Sequence, residues 1–476
     1  MTTQALIGLE VHAQLLTESK MFCGCPTDFG APPNTHVCPV CTAQPGVLPV
    51  PNQRAVEMVV RTGLALHCDI APHSVFARKN YYYPDLPKNY QISQYELPLC
   101  ENGYVLIDTD SGPKRIRVRR VHLEEDTGKN IHGGAGAASR IDFNRCGVPL
   151  MEIVSEPDLA SADECRAYLQ KLQLILRWMG VCDGNMEEGS MRCEPTVNVI
   201  EPDGDGKTAL VEIKNLASFR AVHQAVDFEI ERHTKALTGG DETIRETRRW
   251  LQAEGRTETM RSKEEAHDYR YFPEPDLMPL AVDEALIEHI QGETPEGPDA
   301  VRERFVSELG LSEYDATVMT QSVEFSGFFE EAAAQAGDAK AVANWMQSDF
   351  ARLLNETGTP LAEAKVTPAR LAELVKLIAD GTISSKMGKD VFEAMFESGD
   401  PPSKIVEDQG MSQISDASAL EPIIERAIAE NPDAVEKYKS GKKKALGALV
   451  GQVMKETKGQ ANPAVVNQLL SQMLDN

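Results

Sequence analysis

The segment ALIGLEVHAQL (residues 5–15) alternates almost perfectly. Ile7, Leu9, Val11, Ala13 and Leu15 are apolar, and Gly8, Glu10, His12 and Gln14 fall between them. A period of two is that of a β-strand with one buried face. Its other face carries a carboxylate and an imidazole two residues apart, as either a solvated surface or part of a site. Similar short runs follow, separated by Gly/Pro turns: YVLID (104–108), RIRVRRVHL (115–123), PTVNVIEP (195–202) and TALVEIKNL (208–216). Between them, Cys165, Tyr168, Leu169, Leu172, Ile175, Leu176 and Met179 recur at helical spacing. The pattern predicts an α+β domain with a largely antiparallel sheet.

Composition shifts at GETPEGPD (292–299), beyond which Ala, Glu and Leu dominate. Leu371, Leu374, Val375 and Ile378 keep helical spacing, as do Leu420, Ile423, Ile424, Ala427 and Ile428, and Leu446, Leu449, Val450 and Val453. The expected domains are therefore 1–292, an all-α unit at 293–404, and a helical tail at 405–476, with a break near DPPSK (400–404). The 476 residues are 42% hydrophobic and 25% charged, ordinary for a globular chain. No run of eighteen apolar residues suits a membrane span, and MTTQALIGLE lacks the features of a secretory signal, so a cytoplasmic location is expected.

A net charge of −25 argues against coating nucleic acid by bulk attraction. Two basic islands stand out: KRIRVRR (114–120) and the tail lysines 437, 439, 442, 443, 444, 455 and 458. Each reads as a solvated face or as a local contact for a polyanion. The ten cysteines include Cys23, Cys25, Cys38 and Cys41, a CxC–x12–CxxC array. That spacing can close a tetrahedral four-thiolate zinc site with no open position, a structural staple.

GDGKT (204–208) lacks the first glycine of a phosphate loop and precedes a strand, so it is rejected; GGAGAASR (133–140) reads as a loop. HExxH and GxSxG motifs are absent, leaving carboxylates as the carriers of chemistry. HLEEDTGK (122–129) offers Glu124 and Glu125, MEEGSMRCE (186–194) offers Glu187, Glu188, Arg192 and Glu194, and Glu212 sits on its own strand. Such hard oxygens suit magnesium and a clamped ATP, although an imidazole such as His12 is a less usual ligand for that ion.

IDFNRCGVPLMEIVSEPD (141–158), RKNYYYPDLPKNYQISQYELPL (78–99), EIKNLASF (212–219) and DYRYFPEPDL (268–277), with the segments already quoted, resemble the B subunit of bacterial aspartyl/glutamyl-tRNA amidotransferases, the GatCAB complex. KKKALGALVGQVMKETKGQANPAVVNQLL resembles the tail shared with YqeY-type proteins. The resemblance runs in order over essentially the whole chain. It implies a cradle domain related in fold to glutamine synthetase, then the helical domain and a YqeY-like tail that touches tRNA. It implies action on misacylated Asp-tRNA(Asn) or Glu-tRNA(Gln), using ATP and Mg2+ to phosphorylate the side-chain carboxylate before ammonia forms the amide. The implied partners are an amidase A subunit, which supplies ammonia from glutamine, and a small C subunit. Glu10, His12 and Glu125 align with its metal-site motifs; Glu124, Glu187 and Glu212 join the active centre, with Lys79 and Arg192 as phosphate-facing cations. Only some members of the family keep the zinc cysteines.

On Glu125 the residues and the resemblance part company. Apolar positions shift from Ile116 and Val118 to Val121 and Leu123, which predicts a bulge near Arg119 and Arg120. A regular strand beyond it turns Glu124 toward the polar side and Glu125 away, so the resemblance alone selects Glu125 as a ligand. Two other readings stand beside this one: a non-catalytic tRNA-binding scaffold, and an RNA-independent, magnesium-dependent carboxylate kinase.

Overall fold

Alternation at the N-terminus produces an 11-residue strand, β1 (Gln4–Gln14), at the middle of a nine-stranded sheet. The other strands are β2 (Asp69–Ile70), β3 (Cys100–Thr109), β4 (Gly112–Glu125), β5 (Pro149–Ser155), β6 (Met191–Ile200), β7 (Val211–Lys214), β8 (Glu246–Leu251) and β9 (Arg256–Ser262). Their spatial order is β9-β8-β7-β6-β1-β5-β4-β3-β2, and every pairing is antiparallel except β7–β8. The computed structural model describes residues 3–131, 138–202, 204–262, 269–411, 414, 416–440, 442–457 and 460–475. Most of the glycine-rich 133–140 segment and Lys458 lie outside these.

One face of the sheet is apolar. Ile7, Leu9 and Val11 of β1 are buried with Val121, Leu123, Met151, Ile153, Cys193 and Val197 of its neighbours. Three helices cover this face: α1 (Gln53–Ala65), α2 (Ala162–Trp178) and α3 (Phe219–Gly239). Ser161 caps α2 by accepting from the Glu164 amide, and Ser218 caps α3 by accepting from the Ala221 amide. Gly63 lets α1 approach β3, because a Cβ there would lie 2.5 Å from Cys100 Sγ. Full burial of each Leu, Ile or Val contributes about 1.5–3 kcal/mol, which holds the sheet to its helices.

The predicted bulge is present. Val154 pairs with Arg120 but Ser155 with Val118, leaving Arg119 as the extra residue. The insertion changes the parity of buried positions from Ile116 and Val118 to Val121 and Leu123 while keeping all four apolar residues on the helix side. A three-stranded sheet formed by Phe76–Asn80, Tyr90–Gln94 and Phe272–Pro273 contributes side chains above the polar face. Arg78 braces that sheet, with Nε 2.7 Å from Glu274 and its guanidinium 4.2 Å from the centre of the Tyr90 ring.

The chain divides into two compact units, Met1–Gly297 and Pro298–Asn476. The first ends at Gly297 rather than 292, because Glu296 O accepts from Trp178 Nε1 at 2.7 Å and Glu293 pairs with Arg61 at 3.7 Å. The second unit is helical. Its expected break at 404/405 falls inside the helix Pro402–Asp408, which packs against Pro368–Ala379 and Ser385–Ser398. Beyond this, Leu420, Ile424, Ala427, Leu449, Val453, Val466, Leu470 and Leu474 form a buried core of their own.

Candidate active site

Strand register brings distant residues onto the sheet's polar face. Across four strands, Arg192 of β6 faces His12 of β1, His12 faces Glu152 of β5, and Glu152 faces His122 of β4. Neighbouring rows place Glu194 opposite Glu10, and Gln14, Leu150 and Glu124 in line. Directly opposed residues share a face, so these side chains converge. All of them but Gln14 line a cavity of about 900 Å³ whose walls also include Lys79, Tyr81, Glu212, Lys214, Tyr269 and Tyr271.

Two triads within the cavity could hold a cation. One ligand atom from each of Glu10, His12 and Glu152 lies within 4.8 Å of the others, and the same holds for His122, Glu124 and Glu152. His12 Nε2 is 3.5 Å from Glu10, 3.7 Å from Glu124 and 3.4 Å from Glu152. Burial disfavours charge on His12, but the hydrogen bond to Glu152 and the surrounding carboxylates push its pKa up to about 9. Glu10 rises to about 7 through desolvation and repulsion from Glu152 and Glu194, against the pull of His12 and Lys79. Burial opposes ionisation of Glu152 and Glu124 as well. For Glu152, His122 and His12 win and hold it well below the ordinary carboxylate range. For Glu124, His122 and Lys79 lower it. His122 Nδ1, Arg120 Nε and Arg192 Nε are buried without a hydrogen-bond partner among the described residues. Orphaned polar atoms beside clustered carboxylates are what a charged ligand would satisfy.

Of the residues singled out from sequence, Glu10, His12, Glu124, Lys79, Arg192 and Glu212 line this cavity. Arg192 is 2.9 Å from Asp126, and Glu212 is 2.8 Å from Lys214. Two expectations need correction. Glu125 pairs in register with Pro149, one residue past the Glu124–Leu150 pair, so it projects to the opposite face. There it ion-pairs with Lys88 and accepts from the Ile92 amide at 2.9 Å. Glu187 sits exposed in the turn before β6 and does not line the cavity. The sequence reading missed Glu152 and His122. Glu152 is the lone acid in the strand PLMEIVS, and His122 stands two residues from Glu124 as His12 stands two from Glu10.

Elsewhere, the sulfurs of Cys23, Cys25, Cys38 and Cys41 lie within 4.8 Å of one another, and none is in a disulfide. The Cys38 amide donates to Cys41 Sγ at 3.2 Å. The basic run at 114–120 is not an open polyanion patch. Lys114 pairs with Glu164 (2.8 Å), Arg117 with Asp158 (2.6 Å), Arg119 with Glu156 (2.8 Å) and Arg120 with Glu152 (3.4 Å), while Arg115 stacks on Tyr104 (3.9 Å). Among the described residues no helix is long and apolar enough to cross a membrane.

A mostly antiparallel sheet with helices on one face and a charge-rich cavity on the other defines an α+β domain with a polar site built on its sheet. The GatB/GatE catalytic domain model matches residues 5–288, and a further GatB domain model matches residues 327–474. The chain is 54% identical over 475 residues to the B subunit of the aspartyl/glutamyl-tRNA(Asn/Gln) amidotransferase of Thermodesulfovibrio yellowstonii, covering 100% of both chains. It is 52% identical over 477 residues to the protein of the same name from Geobacter sulfurreducens, again at 100% coverage of both. The chain belongs to the family of B subunits of aspartyl/glutamyl-tRNA amidotransferases.

Proposed function

We propose that the cavity on the polar face is where this chain carries out ATP-dependent amidation of Asp-tRNA(Asn) or Glu-tRNA(Gln). The family amidates misacylated tRNAs, and a carboxylate needs activation for that chemistry because it is a poor acyl donor. A side-chain carboxylate oxygen bonds to the γ-phosphorus of ATP as the bond to ADP breaks. Ammonia then bonds to the acyl carbon and phosphate leaves. Phosphoryl transfer is largely positioning and charge neutralisation. Lys79 and Arg192 supply positive charge at the cavity wall. The Asp126 carboxylate fixes Arg192, accepting also from Gln14 Nε2 at 2.8 Å.

The donor set fits Mg2+, for the hard carboxylate oxygens of Glu10, Glu152 and Glu124 meet around His12. Those four residues would hold it, and a bound divalent cation would draw charge from phosphate oxygens. Cys23, Cys25, Cys38 and Cys41 would hold a structural Zn2+ apart from the chemistry. The partners are an amidase A subunit and a small C subunit, together with misacylated tRNA, all in the cytoplasm.

One observation carries this reading: two carboxylate–imidazole triads share Glu152 within a cavity flanked by cations. Its test uses the purified complex with ATP, Mg2+, glutamine and misacylated tRNA, omitting each in turn. Amide formation should require all of them, with ammonia able to replace glutamine. ATP turnover without tRNA would favour the RNA-independent kinase, and no ATP turnover would favour the scaffold.

A further inference from the structure

Lys20 is a large cationic side chain only 1% exposed. Its Nζ donates to His36 O at 2.7 Å, to Phe143 O at 3.2 Å and to Cys41 Sγ at 3.6 Å. Among the described residues no carboxylate pairs with it. Glu125 lines the same cavity of about 250 Å³ but is engaged by Lys88 and the Ile92 amide. A buried ammonium with no anionic group beside it is strongly unfavourable. The sulfur that it meets, Cys41 Sγ, is one of the four clustered cysteine sulfurs.

We propose that Lys20 is the built-in counter-cation of the four-cysteine centre, balancing the charge of the metal-bound cluster through its contact with Cys41 Sγ. A divalent ion in four thiolates carries a net charge of −2. Lys20, Lys88 and Glu125 sum to +1 beside it, so the buried region ends near −1. The N–H···S bond withdraws charge from the Cys41 sulfur, making that ligand less prone to alkylation while the metal is bound. The carbonyls of His36 and Phe143 aim the ammonium, and each belongs to a segment docked on the other. The His36 amide donates to Asn144 Oδ1 at 2.8 Å, and Asn34 Nδ2 donates to Ile141 O at 3.0 Å. Lys20 is thus a positioning residue for the metal, separate from the amidation cavity. A Met side chain fills similar space without charge.

The inference rests on the zinc reading, which the wild-type full chain tests first through its own metal content. No zinc after reconstitution would refute both. Given zinc in the wild type, Lys20→Met should release it to a chromophoric chelator about 10–100-fold more readily, the usual effect of losing a partner of a metal ligand. Its Cys41 should also be alkylated faster in the zinc-loaded chain, and Lys20→Arg should recover much of the retention. Wild-type retention and Cys41 reactivity in Lys20→Met would overturn the role of Lys20 alone. If Lys20→Met does not fold, amine acylation of the wild type gives the answer. Stripping zinc should raise labelling of Lys20 relative to Lys88, and restoring zinc should reverse it. A constant ratio would overturn the proposal.

Discussion

Glu124 and Glu125 show how one residue's step sets a role. Both are buried acids on β4, yet Glu124 faces His12 and Glu125 faces Lys88. Strand period placed Glu124 on the polar face and Glu125 on the other, as the structure has them, whereas the family motif had put Glu125 beside Glu10 and His12. Glu125→Gln leaves the half-buried Lys88 ammonium without its anion, and such a loss costs up to about 3–5 kcal/mol. Denaturant unfolding should show that drop, while Mn2+ binding in the cavity, read by electron paramagnetic resonance, stays as in the wild type. Lost Mn2+ binding with unchanged stability would return Glu125 to the ligand set. Glu152 was hidden for a different reason. PLMEIVS reads as a nearly continuous apolar strand, and the register joining Glu152 to His12 spans most of the first 150 residues. Face was legible at β1, but long-range register is not encoded in any local pattern.

Among elements, the Arg119 bulge was the most legible, because it leaves a parity change in the apolar positions. The anchoring of α3 was not, since it depends on a polar network assembled from three elements. Glu229 of α3 is fully buried and meets Arg232 (2.7 Å), Arg248 (3.1 Å), His233 (3.3 Å) and Thr257. Burial opposes its charge, but the hydrogen bonds from His233, Arg232 and Thr257 win and lower its pKa to about 2. A carboxylate depressed on folding stabilises the native state above its unfolded pKa near 4.5, and that contribution is lost as pH falls toward 2. The shift corresponds to about 3 kcal/mol. Glu229→Gln should therefore be less stable than wild type at pH 7 by roughly that amount, with the gap closing between about pH 4.5 and 2. Equal stability at pH 7, measured by urea unfolding, would show that the network contributes nothing net.

On the scale of the whole molecule, an acidic chain that acts on RNA needs its positive charge placed locally. In the 114–120 island every cation but Arg115 is matched by an acid, whereas Lys442, Lys443 and Lys444 are exposed in the tail with no ion pair among the described residues. Composition revealed both islands, but only structure separates matched charge from available charge. Replacing the three tail lysines by Ala should weaken tRNA binding and reduce its salt slope by up to about three, one per lost phosphate contact, without changing Mn2+ binding. An unchanged slope would assign them to ordinary solvated surface. The polar face itself unites β1, β4, β5 and β6, and Glu152 belongs to both of its triads. Glu152→Gln in the assembled complex should cut ATP-dependent amide formation on misacylated tRNA on the order of 10²–10³-fold. Glutaminase activity without tRNA, and tRNA binding, should persist. Amidation by Glu152→Gln at the wild-type rate would show that the cavity's carboxylates do not carry the chemistry.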